Sequence, residues 1–127
     1  MILRSALLAT LLLLSFPPAH AEPAPTARAE IEYLLSHVET SGCSFQRNGT
    51  WYDGTRAKAH LRTKYEYLAA RNLITTAEDF IDKGATASSF SGKPYKIKCG
   101  TNPEVECGPW LHDLLNRFRA RSEADAA

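Results

Sequence analysis

The chain has 127 residues, with 15 basic and 14 acidic side chains, 44% hydrophobic residues and three cysteines. A charge this close to neutral implies no bulk attraction to nucleic acid or to an anionic bilayer, and the length suits one domain with a modest core. No stretch approaches the roughly 20 apolar residues of a membrane-spanning helix, so no membrane span is expected.

At the start, Arg4 precedes an apolar run from Ala6 to Phe16, then Pro17-Pro18 and the small triplet Ala19-His20-Ala21. This is the layout of a secretory signal peptide. Cleavage is expected after Ala21, leaving residues 22–127 as a single domain, ordered over about 27–121, in the periplasm or secreted. Arg4 leaves with the leader, and the 14 remaining basic residues then balance the 14 acidic ones. Export to an oxidising compartment makes the cysteines disulfide candidates. Their odd number leaves one thiol to be accounted for.

After a Pro/Ala linker from Glu22 to Pro25, Thr26 is placed to cap a helix. Ile31, Leu34, Leu35 and Val38 fall at i, i+3, i+4 and i+7 and give it an apolar stripe, ending near Ser41-Gly42. His37 lies four residues after Tyr33, as a boundary histidine beside a tyrosine. Asn48-Gly49 between two short runs predicts a two-residue type I′ hairpin, in which both central residues take positive φ. The register follows: Arg47 opposes Thr50, Gln46 opposes Trp51 and Phe45 opposes Tyr52. Alternation then puts Cys43, Phe45 and Tyr52 on the core side and Gln46 and Trp51 on the other. Trp51 is expected to be covered by another segment, the alternative being an aromatic surface for a ligand.

Asp53-Gly54-Thr55 caps a second helix with Ala57, Leu61, Tyr65, Leu68 and Ala69 on its inner face. Arg56, Lys58, Arg62, Lys64 and Arg71 stand against the single Glu66. A solvated face balanced by acids elsewhere explains such a run, and a docking surface for an anionic glycan, lipid headgroup or acidic partner is the functional alternative. Asn72 ends this helix. Thr75 to Glu78 reads as a capping box for a short helix with Phe80 and Ile81 inward and Asp79 in its first turn, followed by a loop from Ala85 to Gly92. Tyr95, Ile97 and Cys99 alternate on one face of a third strand, which completes a small antiparallel sheet. Gly100 to Gly108 is a turn-rich connection. Pro109 is placed at the first position of a last helix with Trp110, Leu111, Leu114, Leu115 and Phe118 inward; residues from Ser122 onward are expected to fray. The fold class is α+β: a hairpin plus one strand packed with about four helices.

No catalytic set emerges. The cysteines and His37, His60 and His112 carry no local motif for a thiolate nucleophile, the spacings hold no zinc site, and Ser91-Gly92-Lys93 is only a fragment of a phosphate loop. No cofactor or metal is implied. His60 and Lys64 lie on or beside the sheet-facing stripe of the second helix. With Arg47, Asn48, Trp51, Ser88, Ser89 and Tyr95 they form the candidate binding set, read either as an internal hydrogen-bonded network or as a shallow site for an anion or glycan. The favoured function is a non-catalytic binding or accessory protein whose partner is an anionic glycan or an envelope protein. The alternative is a small hydrolase or lysis-related enzyme using His60 with a carboxylate such as Asp53 or Glu66.

Cys43 and Cys99 fall on faces assigned inward independently, which favours a Cys43–Cys99 bridge over Cys99–Cys107. Cys107 is then free at a helix N-terminus, where a lowered pKa would invite a disulfide-linked dimer.

The ordered set Phe45-Gln46-Arg47-Asn48-Gly49, Ala57-x-x-His60-Leu61-x-x-Lys64, Thr76 to Lys83 (TAEDFIDK), Ser88-Ser89 and Gly92-Lys93-Pro94-Tyr95 resembles the YfeK-like family of small exported bacterial proteins. It spans Ile31 to Leu115. The resemblance implies a bacterial envelope protein and brings no activity or catalytic residues with it. Cys43, Cys99 and Trp51 stand outside the family pattern.

Overall fold

Pro25 stands in the first turn of helix α1 (Pro25–Thr40), where its missing N–H is no loss. The computed structural model describes residues 12–15 and 23–127, so most of the expected leader lies outside the described residues. Ala24 takes the cap position with no side-chain hydrogen bond, and Thr26, expected to cap the helix, is already inside it. Strands β1 (Ser44–Arg47) and β2 (Thr50–Tyr52) follow, then α2 (Gly54–Ala69) and the short α3 (Ala77–Phe80), which runs directly into a π-helical turn over Ile81–Ala85. Strands β3 (Lys96–Lys98) and β4 (Val105–Glu106) precede α4 (Cys107–Ala126).

The hairpin has the expected register, with Phe45 opposite Tyr52, Gln46 opposite Trp51 and Arg47 opposite Thr50. Asn48 and Gly49 both adopt positive φ, 49° and 81°, as a type I′ turn requires. The sheet is antiparallel throughout, in the order β2-β1-β3-β4. It has one strand more than expected: Val105 and Glu106 pair with Ile97 and Lys96 inside the segment read as a plain connection. Two residues leave no alternation to detect.

Ser44 pairs with Lys98, so Cys43 and Cys99 are the next opposing positions. Their Cα atoms are 4.3 Å apart and the disulfide is formed.

The core collects the predicted stripes. Ile31, Leu34, Leu35, Phe80, Ile81, Leu114 and Leu115 are all at most 1% exposed, with Phe45 and Ile97 contributed by the inner face of the sheet. Other boundaries shift for identifiable reasons. The capping box uses Thr76 and Asp79 in place of Thr75 and Glu78: the Asp79 carboxylate accepts from the Thr75 and Thr76 N–H groups, while Glu78 pairs with Arg119. Pro109 is the third residue of α4, still among the first-turn positions whose N–H has no helical partner. Helix α4 continues to Ala126, since Ser122 to Ala127 holds helix formers and no glycine or proline to stop it. Trp51 is 39% exposed, not covered as expected: it lies on the outer face of an edge strand, with a neighbouring strand on one side only. Among the described residues no helix is long and apolar enough to cross a membrane.

Candidate functional site

Strand alternation puts Arg47 on the same sheet face as Phe45, pointing under α2. The Asp53 side chain accepts from the Arg56 backbone N–H at 2.9 Å and fixes the start of that helix. From there Arg56, His60 and Lys64 follow at i, i+4 and i+8, on one side. Arg47, Arg56 and His60, with Tyr52 and Tyr95, line a cleft of about 210 Å³, and Lys64 reaches the Tyr95 hydroxyl beside it. Its apolar wall includes Phe45, Ala57, Leu61 and Cys107, and its polar wall Arg47, Arg56, His60 and Tyr95.

The hydrogen bonds fix the direction of the polar wall. Arg47 Nη1 is 3.0 Å from His60 Nδ1. A guanidinium can only donate, so Nδ1 is the acceptor and the ring proton sits on Nε2. Nε2 then donates to Tyr95 Oη at 3.1 Å, and Lys64 Nζ donates to the same oxygen at 2.9 Å and to the Ala87 carbonyl at 2.9 Å. Tyr95 Oη thus accepts twice. Its own hydrogen is left as a donor on the cleft wall.

Burial, reinforced by Arg47 and Lys64, holds the His60 pKa below its ordinary value, so the ring is neutral near pH 7. Lys64 is lowered by burial and then by Arg47, whereas burial raises Tyr95. Both Arg47 and Arg56 lie over the Tyr52 ring, at 5.3 and 5.4 Å from its centroid.

The remaining cations of α2 behave differently. Arg62 makes a two-pronged bond to Glu32 at 2.8 and 2.7 Å, and Lys58 meets Glu39 at 3.3 Å. Arg71 lies 3.4 Å from the Tyr67 ring centroid. That part of the basic run is a solvated face, its Arg62 and Lys58 balanced by acids of α1. Among the described residues Arg47, Arg56 and Lys64 have no ion pair with a carboxylate, and no Asp or Glu lines the cleft.

The other candidates divide. Asn48 donates to Ser88 Oγ at 3.3 Å and accepts from Ser91 Oγ at 2.5 Å, clasping the hairpin tip to the loop before β3. Ser88 also accepts from the N–H groups of Phe90 and Ser91. These contacts are internal. Ser89 is exposed and outside the network, and Trp51 is on the opposite sheet face. The constellation anticipated for a hydrolase is not assembled: the hydrogen-bond partners of His60 are Arg47 and Tyr95, Asp53 caps α2 and Glu66 is exposed. Among the described residues no group of His, Cys, Asp and Glu could hold a metal ion.

Cys107 is the free thiol, as expected, but it is 4% exposed and burial pushes its pKa up to about 12. The expected lowering by the helix N-terminus is outweighed by desolvation, because the Cys107 N–H donates to the Tyr95 carbonyl at 2.9 Å and docks the residue behind the sheet. A dimer bridged through it is not supported by this geometry.

Sequence reasoning missed Tyr52, Arg56 and Cys107 as parts of the site. The first two were within reach of it, Tyr52 through strand alternation beside Arg47 and Arg56 through its i, i+4, i+8 spacing with His60 and Lys64. No sequence signal would have brought Cys107 there.

Residues 25–119 match a family described as "Family of unknown function (DUF5329)". The chain belongs to DUF5329. The resemblance to YfeK-like proteins is borne out as well: over 79 residues the chain is 40% identical to "Uncharacterized protein YfeK" of Salmonella typhimurium (strain LT2), a match covering 61% of this chain and 64% of that relative. No solved structure matches this DUF5329 chain significantly.

Proposed function

We propose that this DUF5329 protein is an exported, non-catalytic binding or accessory protein of the bacterial cell envelope that holds an anionic group in the cleft beneath α2. One observation carries the reading: Arg47 and Arg56 line a cleft to which, among the described residues, no carboxylate contributes, with Lys64 beside it on Tyr95. Cations brought together without a counter-ion repel one another, and an anion from outside relieves that repulsion. The leader-like layout of residues 1–21 and the Cys43–Cys99 bridge support export to an oxidising compartment. An acidic envelope glycan or an acidic segment of an envelope protein has the required charge.

Incubation with cell-wall material, followed by sedimentation and analysis of the supernatant, tests this. The expected result is retention on the sediment that is lost in Arg47→Met and in high salt, with no soluble fragments released. Release of fragments that disappears in His60→Ala would instead establish a hydrolase.

A further inference from the structure

The two walls of the cleft differ in kind, and that difference narrows the ligand. On one side the Arg47 guanidinium keeps N–H groups beyond the one given to His60, and the Tyr95 hydroxyl has its hydrogen unassigned after accepting from Lys64 and His60. On the other side Phe45, Ala57 and Leu61 are apolar and Cys107 adds only a buried, neutral thiol. A bare inorganic anion would turn half of its hydration shell toward that apolar wall without replacement hydrogen bonds. The volume, about 210 Å³, exceeds the ~150 Å³ cavity that holds a benzene ring. A planar guanidinium fork matches a carboxylate in two-pronged geometry.

We propose that the cleft takes a carboxylate joined to an aromatic or short branched aliphatic group, the carboxylate meeting Arg47 and the Tyr95 hydroxyl and the apolar body meeting Phe45, Ala57 and Leu61. This rests on the anion-binding reading above and makes it specific. The ligand is either a free acid or the C-terminal residue of a peptide, which present the same head and body.

Calorimetric titration of the protein with phenylacetate, N-acetylphenylalanine, benzyl alcohol, acetate and inorganic phosphate provides the test. Phenylacetate is expected to bind at least about tenfold more tightly than benzyl alcohol, which lacks the charge, and than acetate or phosphate, which lack the body, a step of roughly 1.4 kcal/mol. A preference for N-acetylphenylalanine over phenylacetate identifies a chain terminus, and the reverse a free acid; either supports the proposal. Arg47→Met should abolish the preference for phenylacetate over benzyl alcohol. Ala57→Phe, which fills the apolar wall with a larger side chain, should remove phenylacetate binding and leave weak phosphate binding. Equal binding of phosphate and phenylacetate overturns this proposal while leaving the anion reading standing. Binding of none of the anions overturns both.

Discussion

Arg47 Nη1 lies 3.0 Å from His60 Nδ1, so a permanent cation faces one ring nitrogen of a half-buried histidine. Protonating that nitrogen would set two positive charges in contact. The His60 titration midpoint, followed by NMR, is therefore expected below the ordinary value of about 6.5 and should rise in Arg47→Met. A midpoint at or above the ordinary value in the unaltered protein contradicts the contact of the Arg47 cation with a half-buried His60. An anion bound at Arg47 should also raise it.

The same shift makes stability depend on pH. The folded pKa of His60 is lowered, so as pH falls below about 6.5 the unfolded chain takes the proton first and the folded state loses ground. His37, lowered by burial and then by Arg117 and Arg121, acts in the same direction. Thermal melts should show the midpoint falling between pH 7 and pH 5. Replacing both histidines with asparagine should flatten that fall; an unchanged slope would assign the effect elsewhere.

Gly54 opens α2 directly against the C-terminal end of α1. A Cβ there would stand 2.5 Å from the Val38 carbonyl oxygen and 2.8 Å from that of Glu39, both backbone atoms. Gly54→Ala is expected to cost about 1–3 kcal/mol in urea unfolding, as overpacking does. Gly84→Ala is the matched control, since its added carbon would meet the movable Leu68 Cδ1 at 3.3 Å. If both substitutions cost the same, the close approach at Gly54 is not what limits that position.

The Cys43–Cys99 bridge closes a separation of 56 residues. Its removal in a Cys43→Ser, Cys99→Ser double variant should lower stability by up to about 4 kcal/mol on the chain-entropy account. In the native protein a thiol reagent should leave Cys107 unmodified, and label it once denaturant is added. Rapid labelling without denaturant would show the thiol to be open to solvent.

Arg119 of α4 joins Glu30 of α1 at 2.6 Å and Glu78 of α3 through a second, short bond, and Glu30 is 8% exposed. Arg119→Met leaves a buried carboxylate unpartnered, with an expected loss of about 1–3 kcal/mol. Adding Glu30→Gln to that variant should recover part of the loss by removing the unpaired charge. No recovery would indicate that packing of the arginine stem, not its charge, sets the effect.

By itself the sequence determined the local pieces and favoured the covalent link. Asn48-Gly49 has few alternatives to a type I′ turn, which fixes the register of β1 and β2; the stripes of α1, α2 and α4 are periodicities of 3.6 that need no partner to be recognised. Inward alternation of Cys43 and Cys99 sufficed to favour their pairing. Only the tertiary structure decided which strands are neighbours, because register across a long connection is set by packing and not by any local signal. It alone added β4, uncovered Trp51 and buried Cys107. The site follows the same division. The residue types of Arg47, His60, Lys64 and Tyr95 stood out in the chain, but whether Arg47 meets a carboxylate or a histidine depends on the placement of α2 over the hairpin, and that placement left its charge without a counter-ion among the described residues.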